Sequence, residues 1–141
     1  MEVPASRTIR NPLVLVIDDE QSVRQHIRMV LEHFFGAKAI ETDSSKEALE
    51  LAVQHDFDLV TSDLTRPHMD GFKFLAAFER IKARVPVIII SAALNADNKE
   101  PVRELSAFAC LEKPFTFGQL REVVEDALGL ASSPVWRDPW A

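Results

Sequence analysis

Five residues, scattered along the chain, have the types that act together on a phosphoryl group: Asp18, Asp19, Asp63, Ser91 and Lys113. Three carboxylates gathered in one crevice repel one another and need a cation. Oxygen donors with no His or Cys beside them favour a hard divalent ion, Mg2+ before Zn2+. An ammonium and a hydroxyl on the other side would neutralise and hydrogen-bond the remaining phosphoryl oxygens. Phosphoryl transfer requires mainly in-line positioning and charge neutralisation around a loose transition state. A central carboxylate can itself be the nucleophile and give an acyl phosphate. Asp63 is the candidate for that role.

These residues meet only if the secondary structure places them at one edge, and the pattern predicts that it does. Leu13 to Ile17 is a continuous apolar run that stops at Asp18-Asp19-Glu20. A short run without polar alternation suits a strand buried on both faces of a parallel sheet. Val23, Ile27, Val30, Leu31 and Phe34 then recur at helical spacing up to Gly36, placed as a C-cap. A weak strand over 38–41 precedes a helix opened by Ser44-Ser45-Lys46-Glu47, a capping-box pattern. Phe57 to Ser62 is the next strand and ends at Asp63. The turn-rich segment Thr65 to Gly71 leads into a helix carrying Leu75, Phe78 and Ile81.

Val85 to Ile90 is the strongest strand signal, ending at Ser91. A short helix follows, with Pro101 admissible only in its first turn. Ala109 to Glu112 is the last strand, ending at Lys113. Thr116 and Gln119 make a second capping box, for a helix with Leu120, Val123, Val124, Ala127 and Leu128 inward. Strands alternating with helices predict an α/β fold, a doubly wound parallel sheet with helices on both faces. Each candidate residue then stands at the carboxyl end of a strand, the edge where such sheets bind ligands.

Composition removes most other classes. With 141 residues, 47% of them hydrophobic, the chain can bury about two-thirds of its unfolded surface without a disulfide or metal staple. One cysteine, Cys110, excludes an internal disulfide framework or a Cys-rich zinc site. A net charge of -6 argues against direct nucleic-acid binding, which needs clustered Lys and Arg. No apolar run reaches the roughly 20 residues of a membrane span, and no signal-peptide layout opens the chain, so a cytoplasmic location is expected. Four scattered glycines leave no phosphate-cradling Gly-rich loop.

The motifs Leu13-Val14-Leu15-Val16-Ile17-Asp18-Asp19-Glu20, Asp63 to Gly71, Ile90-Ser91-Ala92 and Leu111-Glu112-Lys113-Pro114-Phe115 together resemble a response-regulator receiver domain of two-component signalling. The resemblance covers 13–129, with 1–12 as a leader and 130–141 as a tail or linker. It implies a flavodoxin-like sheet of strand order 2-1-3-4-5 with five helices. It implies Asp63 as phosphoacceptor from a histidine kinase or phosphotransfer protein, in a Mg2+-dependent reaction. Asp18, Asp19, Asp63 and the backbone carbonyl of Thr65 would hold the Mg2+. Ser91 would be the switch hydroxyl, Lys113 the ion pair of the phosphoryl group, and Lys113-Pro114 a cis bond. Output would be a phosphorylation-dependent contact with a downstream protein, a dimer included, and catalysis would be confined to the chain's own phosphorylation and dephosphorylation.

Three positions depart from the family pattern: Arg66 where Met is usual, Cys110 where Tyr or Phe is usual, and Ser106-Ala107 in place of Gly-Ala. Arg66 could reach a phosphoryl group or a partner carboxylate; an exposed loop residue is the plainer reading. Cys110 reads as a small apolar filler rather than a redox sensor. His26 and His33 read as surface residues, and Phe108, Phe115 and Phe117 as core. Trp136 and Trp140, in a polar tail with two prolines, read as a disordered terminus or a partner-binding segment. Two alternatives remain open. One is a degenerate receiver that binds partners without phosphorylation. The other is an aspartyl-nucleophile phosphatase, against which Thr65 stands where a second acid is usual.

Overall fold

The structure, a computed structural model, describes residues 11–66, 69–82, 84–92 and 107–129, with 65, 66 and 69–72 described by backbone alone. Five parallel strands form one sheet: β1 (Leu13–Ile17), β2 (Lys38–Thr42), β3 (Leu59–Ser62), β4 (Val87–Ser91) and β5 (Ala109–Glu112), in the order β2-β1-β3-β4-β5. Four helices are described: α1 (Gln21–Phe35), α2 (Ser45–Gln54), α3 (Gly71–Ile81) and α4 (Phe117–Ala127). The helix expected after Ser91 lies outside the described residues. A two-residue antiparallel ribbon, Thr65–Arg66 against Met69–Asp70, occupies part of the turn-rich segment.

Period-two alternation divides the core. Val14, Val16, Ile88 and Ile90 face one layer with Ile27, Val30 and Leu31 of α1 and Leu120 and Val124 of α4. Leu15, Ile17, Val87 and Ile89 face the other, with Ala48 and Ala52 of α2 and Phe74 and Phe78 of α3. Both faces of β1 and β4 are therefore buried, which is why their sequences run apolar without a break. Two strands start later than their apolar runs, at Leu59 and Val87 rather than Phe57 and Val85, because hydrophobicity continues into the loop that enters the sheet.

The caps follow local chemistry. Gly36 ends α1 at φ 60°, its N–H donating to the Glu32 carbonyl at 3.1 Å; the left-handed conformation requires glycine there. Thr116 and Gln119 form the full reciprocal box at α4. At α2 only half the expected box forms: Ser44 Oγ accepts from the Glu47 N–H at 3.2 Å, but the Glu47 carboxylate instead accepts from the Thr42 hydroxyl. Ile81, Phe108 and Phe117, expected inward, are exposed at 43%, 43% and 49%, since each sits at or beside the end of an element.

Phe78→Ala removes a ring that is 1% exposed and stacked on Phe74 at 5.6 Å. It should cost about 3–5 kcal/mol in urea unfolding, whereas Val53→Ala, at a side chain 68% exposed, should stay within about 0.5 kcal/mol.

Candidate functional site

Strand register assembles the site. Ile17 pairs with Ser62 across β1 and β3, so Asp18 and Asp63 are the next residues on adjacent parallel strands. Ser91 pairs with Glu112 across β4 and β5, so Lys113 comes next there. Each ladder runs one bond further: Asp63 N–H donates to Ile17 O at 3.2 Å, Lys113 N–H to Ser91 O at 3.1 Å and Asp18 N–H to Thr42 O at 3.2 Å. These bonds fix the Cα atoms of the three charged residues to the sheet itself.

The side chains converge. Lys113 Nζ lies 2.8 Å from Asp18 Oδ2, 3.1 Å from Asp63 Oδ2 and 3.3 Å from Glu20 Oε1. The contact with Asp18 Oδ2 is the shortest of the three, and that carboxylate is 1% exposed. Asp18 Oδ1 accepts the Glu20 N–H at 2.9 Å. Asp18, Asp63 and Ser91 are buried, while Asp19 and Glu20 face solvent. Burial pushes the Asp18 carboxyl above the usual carboxylate range, with Lys113 opposing and the Asp63 charge adding to the rise. For Lys113 burial acts to lower the pKa, but pairing with Asp18 and Asp63 outweighs it and holds the ammonium well above its ordinary value. The pairing thus prevails at the lysine and burial prevails at Asp18, the more enclosed partner.

Carboxylate oxygens of Asp18, Asp19 and Glu20 lie within 4.8 Å of one another. This all-oxygen set, with neither His nor Cys among its donors, fits a hard divalent cation. Glu20 was absent from the ligand set expected from sequence, although it completes the Asp-Asp-Glu run. Asp63 joins Asp18 through Lys113. Ser91 lies fully buried at the end of β4, and Thr65 lies in the short ribbon, its side chain not described. The Lys113-Pro114 bond is cis. Cys110 is half-buried and packs on the α2–α3 layer. Arg66 has no described side chain.

A second residue that sequence reasoning missed is Arg24. Its Nη1 donates to the Asp18 carbonyl at 2.6 Å and its Nε to Glu41 Oε1 at 3.2 Å. Arg28 Nη1 donates to the other Glu41 oxygen at 2.6 Å. Arg24 follows the acidic run by one helical turn, the signal that could have found it. His26, expected at the surface, is half-buried between Phe115 and Phe117, with centroids at 5.1 and 4.7 Å.

Residues 14–125 match the family model described as response regulator receiver domain. The chain is 32% identical over 126 residues to the KDP operon transcriptional regulatory protein KdpE of Escherichia coli, covering 89% of this chain and 55% of that protein. It is 29% identical over 126 residues to sporulation initiation phosphotransferase F of Bacillus subtilis, covering 87% of this chain and 98% of that protein. Against the Pseudomonas aeruginosa response regulator protein PilR it spans only 26% of the relative's length. Among solved structures, the Francisella response regulator 1452 receiver domain superposes with TM-score 0.75 at 30% identity, over 84% of this chain and 98% of that one. Vibrio cholerae chemotaxis protein CheY4 gives 0.77 at 26% identity, over 82% and 98%.

Lys113→Met would leave Asp18 and Asp63 buried without their cation, at a cost of roughly 3 kcal/mol near pH 8. Without the lysine, the Asp18 carboxyl should rise further and take up a proton in the folded state as pH falls. A group whose folded pKa is raised favours folding at low pH and loses that contribution as pH rises through the folded value. The variant's deficit should therefore shrink from pH 8 to pH 5, read by urea unfolding at both.

Proposed function

We propose, from the premise that this chain belongs to the response regulator receiver domain family, that Asp63 accepts a phosphoryl group from the phosphohistidine of a kinase or phosphotransfer protein. The observation that carries the reading is the Lys113 ammonium within 3.1 Å of the Asp63 carboxylate and 2.8 Å of Asp18. In the transfer, an Asp63 oxygen forms the new bond to phosphorus and the bond to the donor imidazole nitrogen breaks. With the other ring nitrogen of the phosphohistidine carrying a proton, the histidine leaves as neutral imidazole. Lys113, held charged by its two partners, keeps a positive charge against the oxygens that gain density. Ser91, buried at the end of the neighbouring strand, supplies a hydroxyl for one phosphoryl oxygen. Water later attacks phosphorus and releases phosphate, regenerating the carboxylate.

A divalent cation, Mg2+ by donor type, would be held by Asp18 and Asp19, with Asp63, Glu20 and the Thr65 carbonyl as the further oxygens within the same crevice. Bound there, it would neutralise phosphoryl oxygens opposite Lys113. Arg24 acts on this loop from behind: by binding the Asp18 carbonyl it limits how far the acidic run can shift. The product is a charged, covalently altered crevice edge that a kinase-side or downstream protein can distinguish. KdpE is a transcriptional regulator and the B. subtilis relative a sporulation phosphotransferase; which kind of output follows here belongs to the protein that reads Asp63.

Incubation with Mg2+ and acetyl phosphate should add a single phosphoryl mass, absent in Asp63→Asn and in the absence of the metal. An unmodified wild-type chain that also ignores beryllium fluoride would overturn the reading and favour a receiver that binds without phosphorylation.

Arg24→Met should weaken Mg2+ binding roughly 10-fold, the lower end of what loss of an outer-shell partner costs. Arg24→Lys should recover part of it, as followed by calorimetric titration with Mg2+ alone.

A further inference from the structure

Part of the apolar surface of α1 and α4 stays open to water. A cavity of about 570 Å³ lies along α1 beside the start of α4, lined by Met29, Val30, Glu32, His33, Phe34 and Phe117. Met29, Phe34 and Phe117 are exposed at 56%, 40% and 49%, three of the six large hydrophobic side chains so exposed among the described residues. None of them belongs to the carboxylate cluster. The two helices lie side by side: His26 meets the Phe117 ring at 4.7 Å, and Arg121 lays its guanidinium over the Phe34 ring, 4.6 Å from the centroid. They also run in one direction, because each leaves the carboxyl edge of a parallel sheet.

The charges bordering this groove share one order. On α1, Arg28 precedes Glu32 by one turn, Nε to Oε2 at 3.7 Å; on α4, Arg121 precedes Glu125 by one turn, Nε to Oε2 at 3.6 Å. Both contacts are long and all four side chains are at least 38% exposed, so each pair contributes little within its own helix. Two cations balance two acids here, on a chain whose net charge is -6. A strongly basic or acidic partner finds no field at this face to steer it. A second copy finds a match. A two-fold axis lying in the plane of the face, perpendicular to the helices, lays each helix antiparallel on its own counterpart. Since both helices read cation then acid, that reversal sets Arg28 against Glu32 of the other copy and Arg121 against Glu125. An axis along the helices would leave them parallel and bring cations level with cations.

We infer that this face is a contact between two copies of the chain. The two-fold axis crosses α1 between Arg28 and Glu32 and α4 between Arg121 and Glu125. Met29, next to the axis, meets its own counterpart over the cavity, and the Phe34 and Phe117 rings are covered from either side. α1 and α4 are about 22 and 16 Å long and pack about 10 Å apart. Their footprint is therefore of the order of 400 Å² per copy, about half that of a standard interface. Association is correspondingly weak, with a dissociation constant on the order of 100 µM. The inference stands independently of the chemistry at Asp63.

Sedimentation equilibrium of the full, unphosphorylated chain should show a monomer–dimer transition between about 10 µM and 1 mM. Met29→Glu, at an exposed position, should abolish it while circular dichroism stays unchanged. The α4 pair tests the axis, because Arg28 is also held by Glu41. Arg121→Glu and, separately, Glu125→Arg each set like charges across the two-fold and should weaken association roughly 10-fold. The double exchange Arg121→Glu with Glu125→Arg opposes unlike charges again and should recover the affinity to within about threefold. A chain that stays monomeric to about 1 mM overturns the inference. So does a dimer that survives Met29→Glu, which then uses another face. A double exchange as weak as either single one also overturns it, since the antiparallel match is then excluded.

Discussion

One ammonium holds the working edge of this protein together. Asp18 and Asp63 are 1% and 5% exposed, and two buried carboxylates on adjacent strands are costly unless a cation compensates them. Lys113 supplies that cation from a third strand end, and its own main-chain bond to Ser91 anchors it to the sheet. The cluster still carries more negative charge than positive, since Glu20 also turns to Lys113 and Asp19 stands beside it. That imbalance is what the divalent cation proposed for this cluster would offset. The exposed part of the acidic run, Asp19 and Glu20, follows a strand buried from Val14 to Ile17.

The two apolar layers make this arrangement possible. β1 has β2 on one side and β3 on the other. The helices that leave β1 and β3, α1 and α3, therefore cover opposite faces, as the two core clusters show. The chains part above the strand ends and leave a crevice between them, where polar side chains can gather without disturbing the packing. Alternation within β1 and β4 fixes which side chains go to which layer. A register slip by one residue would exchange the layers and carry Asp18 and Asp63 out of line.

The parts legible in sequence are those set by periodicity and local chemistry. β1 and β4 announce themselves by unbroken apolar runs, α1 by its spacing and Gly36, α4 by its capping box. The joint position of Asp18, Asp63, Ser91 and Lys113 follows from strand ends alone once the sheet is parallel. What escaped depends on through-space geometry. Glu47 accepts from the Thr42 hydroxyl while its expected capping partner, the Ser44 N–H, donates to Thr42 Oγ1 at 3.1 Å. His26 turns inward because Phe115 and Phe117, residues distant in sequence, offer it two rings. Arg24 looks like an ordinary exposed helix residue until the β2 edge places Glu41 opposite it.

That last contact has a mechanical consequence for the edge strand. β2 is the least apolar strand, with Lys38 and Glu41 among its five residues, a composition that discourages pairing with another chain. It is also the strand with least hydrophobic anchorage. Glu41 compensates by accepting from Arg24 and Arg28 of α1 while Arg24 simultaneously holds the Asp18 carbonyl. The bond from Asp18 N–H to the Thr42 carbonyl closes the loop. Edge strand, first helix and acidic run thus form a ring of polar contacts around the end of β1. A displacement of Asp18 must stretch the Arg24 contact, the Thr42 contact or both. The same bonds that secure a weakly apolar edge therefore also stiffen the backbone from which the acidic cluster projects.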